Sequence, residues 1–343
     1  MNRLEKNRMP AVTSVLLLLL LAAAVISVMV GRYSITPSTL LDIITNLGGP
    51  YDSEETEAAA LVLFESRLAR IAAAVLIGAA LAAAGAAYQG IFRNPMVSPD
   101  ILGAATGASF GAALAILLGG NALVIQISAF CFGLAAVAAA YFISSALTAQ
   151  SGGATLTLVL TGMVIAALFS AFISIVKFVG DPYDTLPTIT FWLMGGLTYV
   201  TKSDIFIMLV PFAAGMIPLM LLRWRLNVLS LDDEESSSLG LDTKKMRGII
   251  ILCATLMSSS AVAVGGMIGW VGLIVPHIAR MIAGPDYSKM LPCSVLIGGL
   301  FLLVVDDLAR CLFAQEIPLG VLTAIIGAPF FLYLMFKGKK SFL

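Results

Sequence analysis

Residues 101–120 read Ile101-Leu-Gly-Ala-Ala-Thr-Gly-Ala-Ser-Phe-Gly-Ala-Ala-Leu-Ala-Ile-Leu-Leu-Gly-Gly120, and they open a stretch without one charged side chain that lasts to Val176. A helix rises about 1.5 Å per residue, so about 20 apolar residues cross a hydrocarbon core of roughly 30 Å. Residues 101–176 therefore hold three crossings, divided at Gly119-Gly-Asn121 and at Gln150-Ser-Gly-Gly153, where glycine and polar residues stop helices. The same ruler finds charge-free runs at 9–31, 71–92, 205–222, 248–279, 290–305 and 317–336. The run 248–279 is too long for one crossing and contains Gly265, Gly266, Gly269, Gly272 and Pro276, which predicts a full helix, a break and a short helix. Backbone broken at membrane depth must be buried in protein or line a cavity. The sum is about ten crossings, an all-α polytopic membrane helix bundle, read as one transmembrane domain over 1–343.

Composition agrees with this reading. Apolar residues make up 59% of the chain and charged residues 12%, against roughly a quarter charged in soluble domains, which excludes an ordinary soluble fold. Twenty basic and 20 acidic side chains cancel, so nothing in the overall charge points to a nucleic acid partner. Cys131, Cys253, Cys293 and Cys311 lie in apolar stretches without metal-ligand spacing and read as small buried hydrophobes. The apolar run after Arg3, Lys6 and Arg8 exceeds the core of a signal peptide, about 7–15 residues, and reads as a retained first helix. With the N-terminus inside, ten crossings put 14 of the 20 Lys and Arg on inner segments and six outside, the sign that the positive-inside rule demands. Both termini are therefore expected in the cytoplasm.

Helices in lipid associate through small residues that let backbones approach. Gly103, Gly107 and Gly111 form one such ridge and Gly78, Ala82, Ala86 and Gly90 another, and both are expected to serve packing within the chain. The only long polar inner connection is 226–241. Asp232, Asp233, Glu234 and Glu235 place negative charge at a helix start, Leu239-Gly240 supplies a stop, and Leu231 and Leu239 share one face. The segment is either a partner contact or a solvated connector. Arg67, Arg70 and Arg310 fall at the outer rim, where they can anchor the interface, and Arg310 can pair with Asp306 or Asp307 along its helix. Ser170, Ser174 and Lys177 share a helical face that either lines a pathway or lets Lys177 snorkel. His277, the only histidine, reads as structural, and Trp192 and Trp270 as packing aromatics. No phosphate-binding GxxxxGK[ST] loop, no Ser/His/Asp set and no deep carboxylate pair exists, so any motor or catalyst must be another chain.

Four stretches carry a family resemblance. They are Arg67-Leu-Ala-Arg70 with Gln89-Gly-Ile-Phe-Arg-Asn-Pro-Met-Val-Ser-Pro-Asp-Ile-Leu-Gly103; Phe191-Trp-Leu-Met-Gly-Gly-Leu197; the polar segment 226–241; and Gly269-Trp-Val-Gly-Leu-Ile-Val-Pro-His-Ile-Ala-Arg280, continued by Gly284-Pro-Asp286, Asp307-Leu-Ala-Arg310 and Pro318-Leu-Gly-Val-Leu-Thr-Ala-Ile-Ile-Gly-Ala-Pro-Phe330. In order and spacing, over residues 15–338, they resemble the FecCD family, the permeases of ABC importers for iron-siderophores, haem, vitamin B12 and, in some members, molybdate or tungstate. The resemblance implies a transport subunit of the inner membrane, not an enzyme. It has no cofactor of its own and pairs with a second copy of itself. Two ATP-binding cassette subunits use ATP and Mg, and a periplasmic or lipid-anchored substrate-binding protein delivers the cargo.

The same resemblance makes 226–241 the coupling helix, with Leu231, Asp233, Glu234, Leu239 and Gly240 facing the ATPase. Asp232 stands where the family usually has Gly, Ser236 where Ala is usual, and Ala69 where Pro is common. Arg67, Arg70 and Arg310 become docking residues for acidic groups on the binding protein, and Thr155, in the inner turn 151–157, the nearest match to a cytoplasmic gate. The implied cargo is a metal chelate, with an oxyanion such as molybdate or tungstate as the alternative. An ion-coupled secondary transporter is the rival, and the charge-free stretch 101–176 lacks the buried ionisable groups it needs.

Overall fold

In lipid a chain must satisfy its own amides, which leaves helices or a closed barrel as ways across. The computed structural model describes residues 3–47, 49, 51, 53–151 and 154–338, with the side chains of 3–8, 149–151, 154, 233, 337 and 338 outside that description, and among the described residues it contains helices and no strand. In chain order these are α1 (Arg3–Met29), α2 (Pro37–Thr45), α3 (Glu54–Leu61), α4 (Leu68–Ile91), α5 (Ala104–Leu117), α6 (Ala122–Ser151), α7 (Ala154–Val179), α8 (Thr185–Met194), α9 (Lys202–Leu221), α10 (Arg223–Leu229), α11 (Asp233–Ser238), α12 (Thr243–Gly265), α13 (Val271–Ala283), α14 (Tyr287–Cys311) and α15 (Leu319–Gly338). One π-helical turn, Val62–Arg67, joins α3 to α4 without a break, and a 3-10 turn, Pro99–Leu102, leads into α5.

Among the described residues eight helical stretches are long and apolar enough to cross a membrane: α1, α3 through α4, α6, α7, α9, α12, α14 and α15. The shorter α5 and α13 complete the ten expected segments, and the break between α12 and α13 falls at the glycines that predicted it. The sequence reading missed α2, α3 and α8, because none of them is a charge-free run of crossing length.

Burial sorts the bundle into centre and periphery. The most apolar window of α4 is 83% buried and that of α12 is 72% buried, whereas that of α1 is 6% buried and presents Leu17, Leu18, Leu21, Val25 and Ile26 outward. Alanine and glycine on α4 make its central position possible. A Cβ on Gly78 would overlap the carbonyl of Gly298 on α14, and one on Gly85 would overlap that of Gly272 on α13. Gly90 likewise leaves room for the Tyr287 ring. On α5, Gly107 and Gly111 rest against Phe132 and Ser128 of α6, so both ridges pack within the chain as expected. Gly103 departs from that ridge: at φ +82° it is the left-handed cap before α5, a conformation glycine adopts without steric cost.

Candidate functional site

Three chain segments meet where α12 ends. Gly195 and Gly266 take positive φ values of 71° and 69°, and the Gly196 amide donates to the Gly265 carbonyl at 2.9 Å. The Leu319 amide donates to the Gly195 carbonyl at 2.9 Å, and a Cβ on Gly320 would come within 2.6 Å of the Met194 carbonyl. The motif Phe191–Leu197, the glycines after α12 and the Pro318–Gly320 turn are therefore one joint, and its backbone groups bond to each other rather than to lipid. Trp270 begins α13 at φ +69°, rare for a bulky side chain, with its ring 6.4 Å from that of Phe331 on α15. Trp192 packs beside Ala108, Ala112 and Val262.

Below this joint lies a cavity of about 300 Å³, lined by Leu81, Ser98, Asp100, Ser258, Met267 and Trp270 among others. Among the described residues Asp100 is its only ionisable lining residue, and it is exposed. The carboxylate Oδ1 accepts the Ala105 amide at 2.9 Å and so caps α5. Its depth follows from its neighbours. Pro99 rests on Gly272 beside the Leu81 carbonyl, and Gly103 lies against Ala166, and Leu81 and Ala166 are mid-helix residues of α4 and α7. The sequence reading passed over Asp100, because an aspartate before a helix reads as a cap.

At one end of the bundle the three rim arginines meet three carboxylates. Arg70 bridges two of them: its Nε and Nη2 donate to Asp306 at 2.9–3.0 Å and its Nη1 to Glu316 at 2.9 Å. Arg310 pairs with Asp306 at 3.3 Å and with Asp307, and also donates to Ser27 at 2.8 Å. Arg67 donates to the Val28 and Tyr33 carbonyls, each at 2.6 Å. Glu316 also accepts from Thr198 at 2.7 Å. Burial alone would raise the Glu316 carboxyl, but the Thr198 hydrogen bond and the Arg70 charge hold it below the usual carboxylate range.

Arg67, Arg70 and Arg310, expected as docking residues, are turned inward in this structure. They are 5%, 7% and 6% exposed, and each guanidinium is held by groups of this chain. Both helical pairings read for Arg310 are present. Exposed charge at this end comes instead from Arg32, Glu54, Glu55, Glu65 and Lys202.

At the opposite end lies the segment 226–241. Leu226 and Leu229 of α10 are fully buried and root it. α11 is as short as predicted, and its stop is a left-handed Gly240 at φ +78°, with the Leu241 amide returning to the Ser236 carbonyl. Leu231, Glu234, Leu239 and Gly240 are exposed, while the Asp233 side chain lies outside the described residues. Asp232 precedes α11 and is bonded at 3.0 Å by Arg93, just past α4, which also donates to the Leu229 carbonyl. Ser236 is fully buried and donates to the Val228 carbonyl at 2.7 Å. Both departures from the family pattern thus have partners. Asn227 donates to Asp286 at 2.8 Å and accepts from the Tyr287 amide, which ties the segment to the start of α14. Burial alone would raise the Asp286 carboxyl, but hydrogen bonds from Asn227 and Ser288 hold it below its ordinary range.

Thr155 lines a second cavity, about 270 Å³, with Tyr141, Ser144, Thr148 and Lys244 at this same end. Ser170 and Ser174 lie exposed on α7, Ser174 donating to the Ser170 carbonyl at 3.0 Å, and Lys177 is half-buried one turn on. The structure therefore keeps Thr155 apart from the Ser170–Lys177 face. No group of His, Cys, Asp or Glu able to hold a metal occurs among the described residues.

Comparison with known proteins follows from this geometry. A profile of the FecCD transport family matches residues 18–337. The chain is 38% identical to the molybdate import system permease protein MolB of Haemophilus influenzae, over 98% of this chain and 99% of that one. It is 37% identical to a probable iron chelatin transport system permease protein of Helicobacter pylori, over 92% and 95%. A solved metal-chelate type ABC transporter in an inward-facing conformation superposes with a TM-score of 0.85 at 39% identity, over 96% and 99%. The broken central helices, the buried arginine cluster and the rooted polar segment are thus the parts of an ABC importer permease, and the chain belongs to the FecCD transport family.

Proposed function

We propose that this permease moves a metal chelate, of the iron-siderophore, haem or cobalamin kind, into the cytoplasm by alternating access, as one of two copies around a shared passage. The passage opens in turn to each side, and the work comes from ATP and Mg on two cassette subunits, this chain holding no cofactor of its own. The observation that carries the reading is the anchoring of 226–241. Its exposed Leu231, Glu234 and Leu239 offer a contact surface, while Arg93 and Asn227 link it to the ends of α4 and α14, so a push there reaches the central helices.

The end bearing Arg93 is then cytoplasmic, with both termini on that side, and the arginine-cluster end receives a periplasmic or lipid-anchored binding protein. Its docking would use the exposed Arg32, Lys202 and Glu54 over a scaffold stiffened by Arg67, Arg70 and Arg310. The exposed hydroxyls of Ser170 and Ser174 suit a passage between two copies better than a lipid contact. A second reading has the molybdate permease relative in its favour: an oxyanion cargo in the same machine.

The test is reconstitution with the cassette subunit and the binding protein in liposomes. Uptake is expected to require both proteins and ATP, and Leu239→Asp is expected to abolish uptake without shifting the thermal midpoint. Uptake by the chain alone, driven by an ion gradient, refutes the proposal in favour of the secondary transporter.

A further inference from the structure

A carboxylate at mid-depth is costly, so it needs a reason beyond holding a helix end. Asp100 holds the start of α5 through Oδ1, but the neutral carbonyl oxygen of an asparagine accepts an amide as well. The capping duty therefore leaves the charge unexplained. That charge faces the cavity at the centre of the bundle, where the remaining lining is uncharged. The neighbouring break borders open space, since a Cβ added at Gly269 would meet nothing within 4 Å. Low-dielectric walls focus the field of a single charge in such a space.

We propose that this cavity opens onto the passage and that Asp100 is its charge filter: it favours cationic or neutral, donor-rich metal chelates and repels oxyanions of the molybdate and tungstate kind. This rests on the importer reading above and selects between its two cargo classes. At about 8 Å and an effective dielectric constant near 40, one unit charge changes the local concentration of a monovalent ion roughly sixfold, so a cation and an anion differ by roughly thirtyfold.

The test needs no knowledge of the natural cargo. Ser98→Cys places a thiol in the cavity lining two residues from Asp100. In the full complex with its ATPase, in liposomes, the site is modified by a trimethylammonium and by a sulfonate methanethiosulfonate, and mass spectrometry reads the rate at position 98. Taking the ratio of the two reagents cancels any change in the thiol itself. Asp100→Asn is expected to lower the cation-over-anion ratio tenfold or more while leaving the thermal midpoint in place, and Asp100→Ser serves as a second uncharged variant. A ratio unmoved by both variants, or a site that neither reagent reaches in any nucleotide state, overturns the filter. The importer reading fails differently, by uptake that ignores ATP, so the two failures are distinguishable.

Discussion

Replacing Asp306 with asparagine removes the charge at the middle of the rim cluster. Asp306 is fully buried between Arg70, at 2.9 Å, and Arg310, at 3.3 Å. A charge pair at about 4 Å is worth about 4 kcal/mol at an effective dielectric constant of 20, and the variant would leave two guanidinium groups facing a neutral amide. Breaking a buried pair from one side typically costs about 3–5 kcal/mol, and that range is expected here. With an unfolding entropy of about 2.1 cal/mol/K per residue, the midpoint falls by about 4–7 °C at a fixed scan rate. The chain carries its own reporters, since Cys253 and Cys293 are buried and Cys131 and Cys311 exposed. In a Cys131→Ala, Cys311→Ala background, a thiol-reactive dye lights up only as the bundle opens. Arg70→Gln alone should also destabilise, and the double variant should lose less than the sum of the two. Arg70→Lys should behave like Arg70→Gln, because an ammonium cannot span Asp306 and Glu316 as the guanidinium fork does. Strict additivity of Asp306→Asn and Arg70→Gln, or an Asp306→Asn midpoint no lower than that of the exposed Glu57→Gln, would refute this reasoning.

Gly78→Val drives a side chain into the Gly298 carbonyl and should cost about 1–3 kcal/mol or prevent assembly, seen as a lower midpoint and yield, whereas Gly269→Ala, whose methyl meets nothing, should be neutral. Asn227→Ala cuts the link from the coupling segment to Asp286, so uptake per ATP hydrolysed should fall severalfold with little change in midpoint. Because the Asp286 carboxyl is held below its ordinary value, its contribution is complete above the unfolded value of about 3.9 and is lost as pH falls through the lower native one. The coupling ratio of the native chain should therefore be flat from about pH 5 to 8 and decline only below about pH 4. Glu316 has the same sign, so acid should weaken the rim over that range too, measured as a midpoint drop that Glu316→Gln reduces.

The crossings were legible because membrane thickness imposes a length on every apolar run, and the break after Gly265 because glycine clusters are tolerated at depth only for a reason. Helix α8 escaped that ruler: it spans only Thr185–Met194 and enters the bundle without crossing it. Both glycine ridges could be read because close helix packing leaves few alternatives to small residues. The rim arginines were legible as a set but not in direction. The carboxylates that turn Arg70 inward lie 236 and 246 positions away, a proximity no local pattern carries. Arg93 was invisible for the same reason, its Asp232 partner lying 139 positions further on.

The joint at Gly195, Gly266 and Leu319 also dictates the order in which the molecule can be finished. The Gly195 carbonyl receives its amide from Leu319, a residue made more than a hundred positions later. Until that last hairpin arrives from the insertion machinery, the nascent bundle holds an unclosed seam. The final helix is therefore the keystone of assembly, and a chain stopped before residue 319 should be recognised as unfinished and degraded.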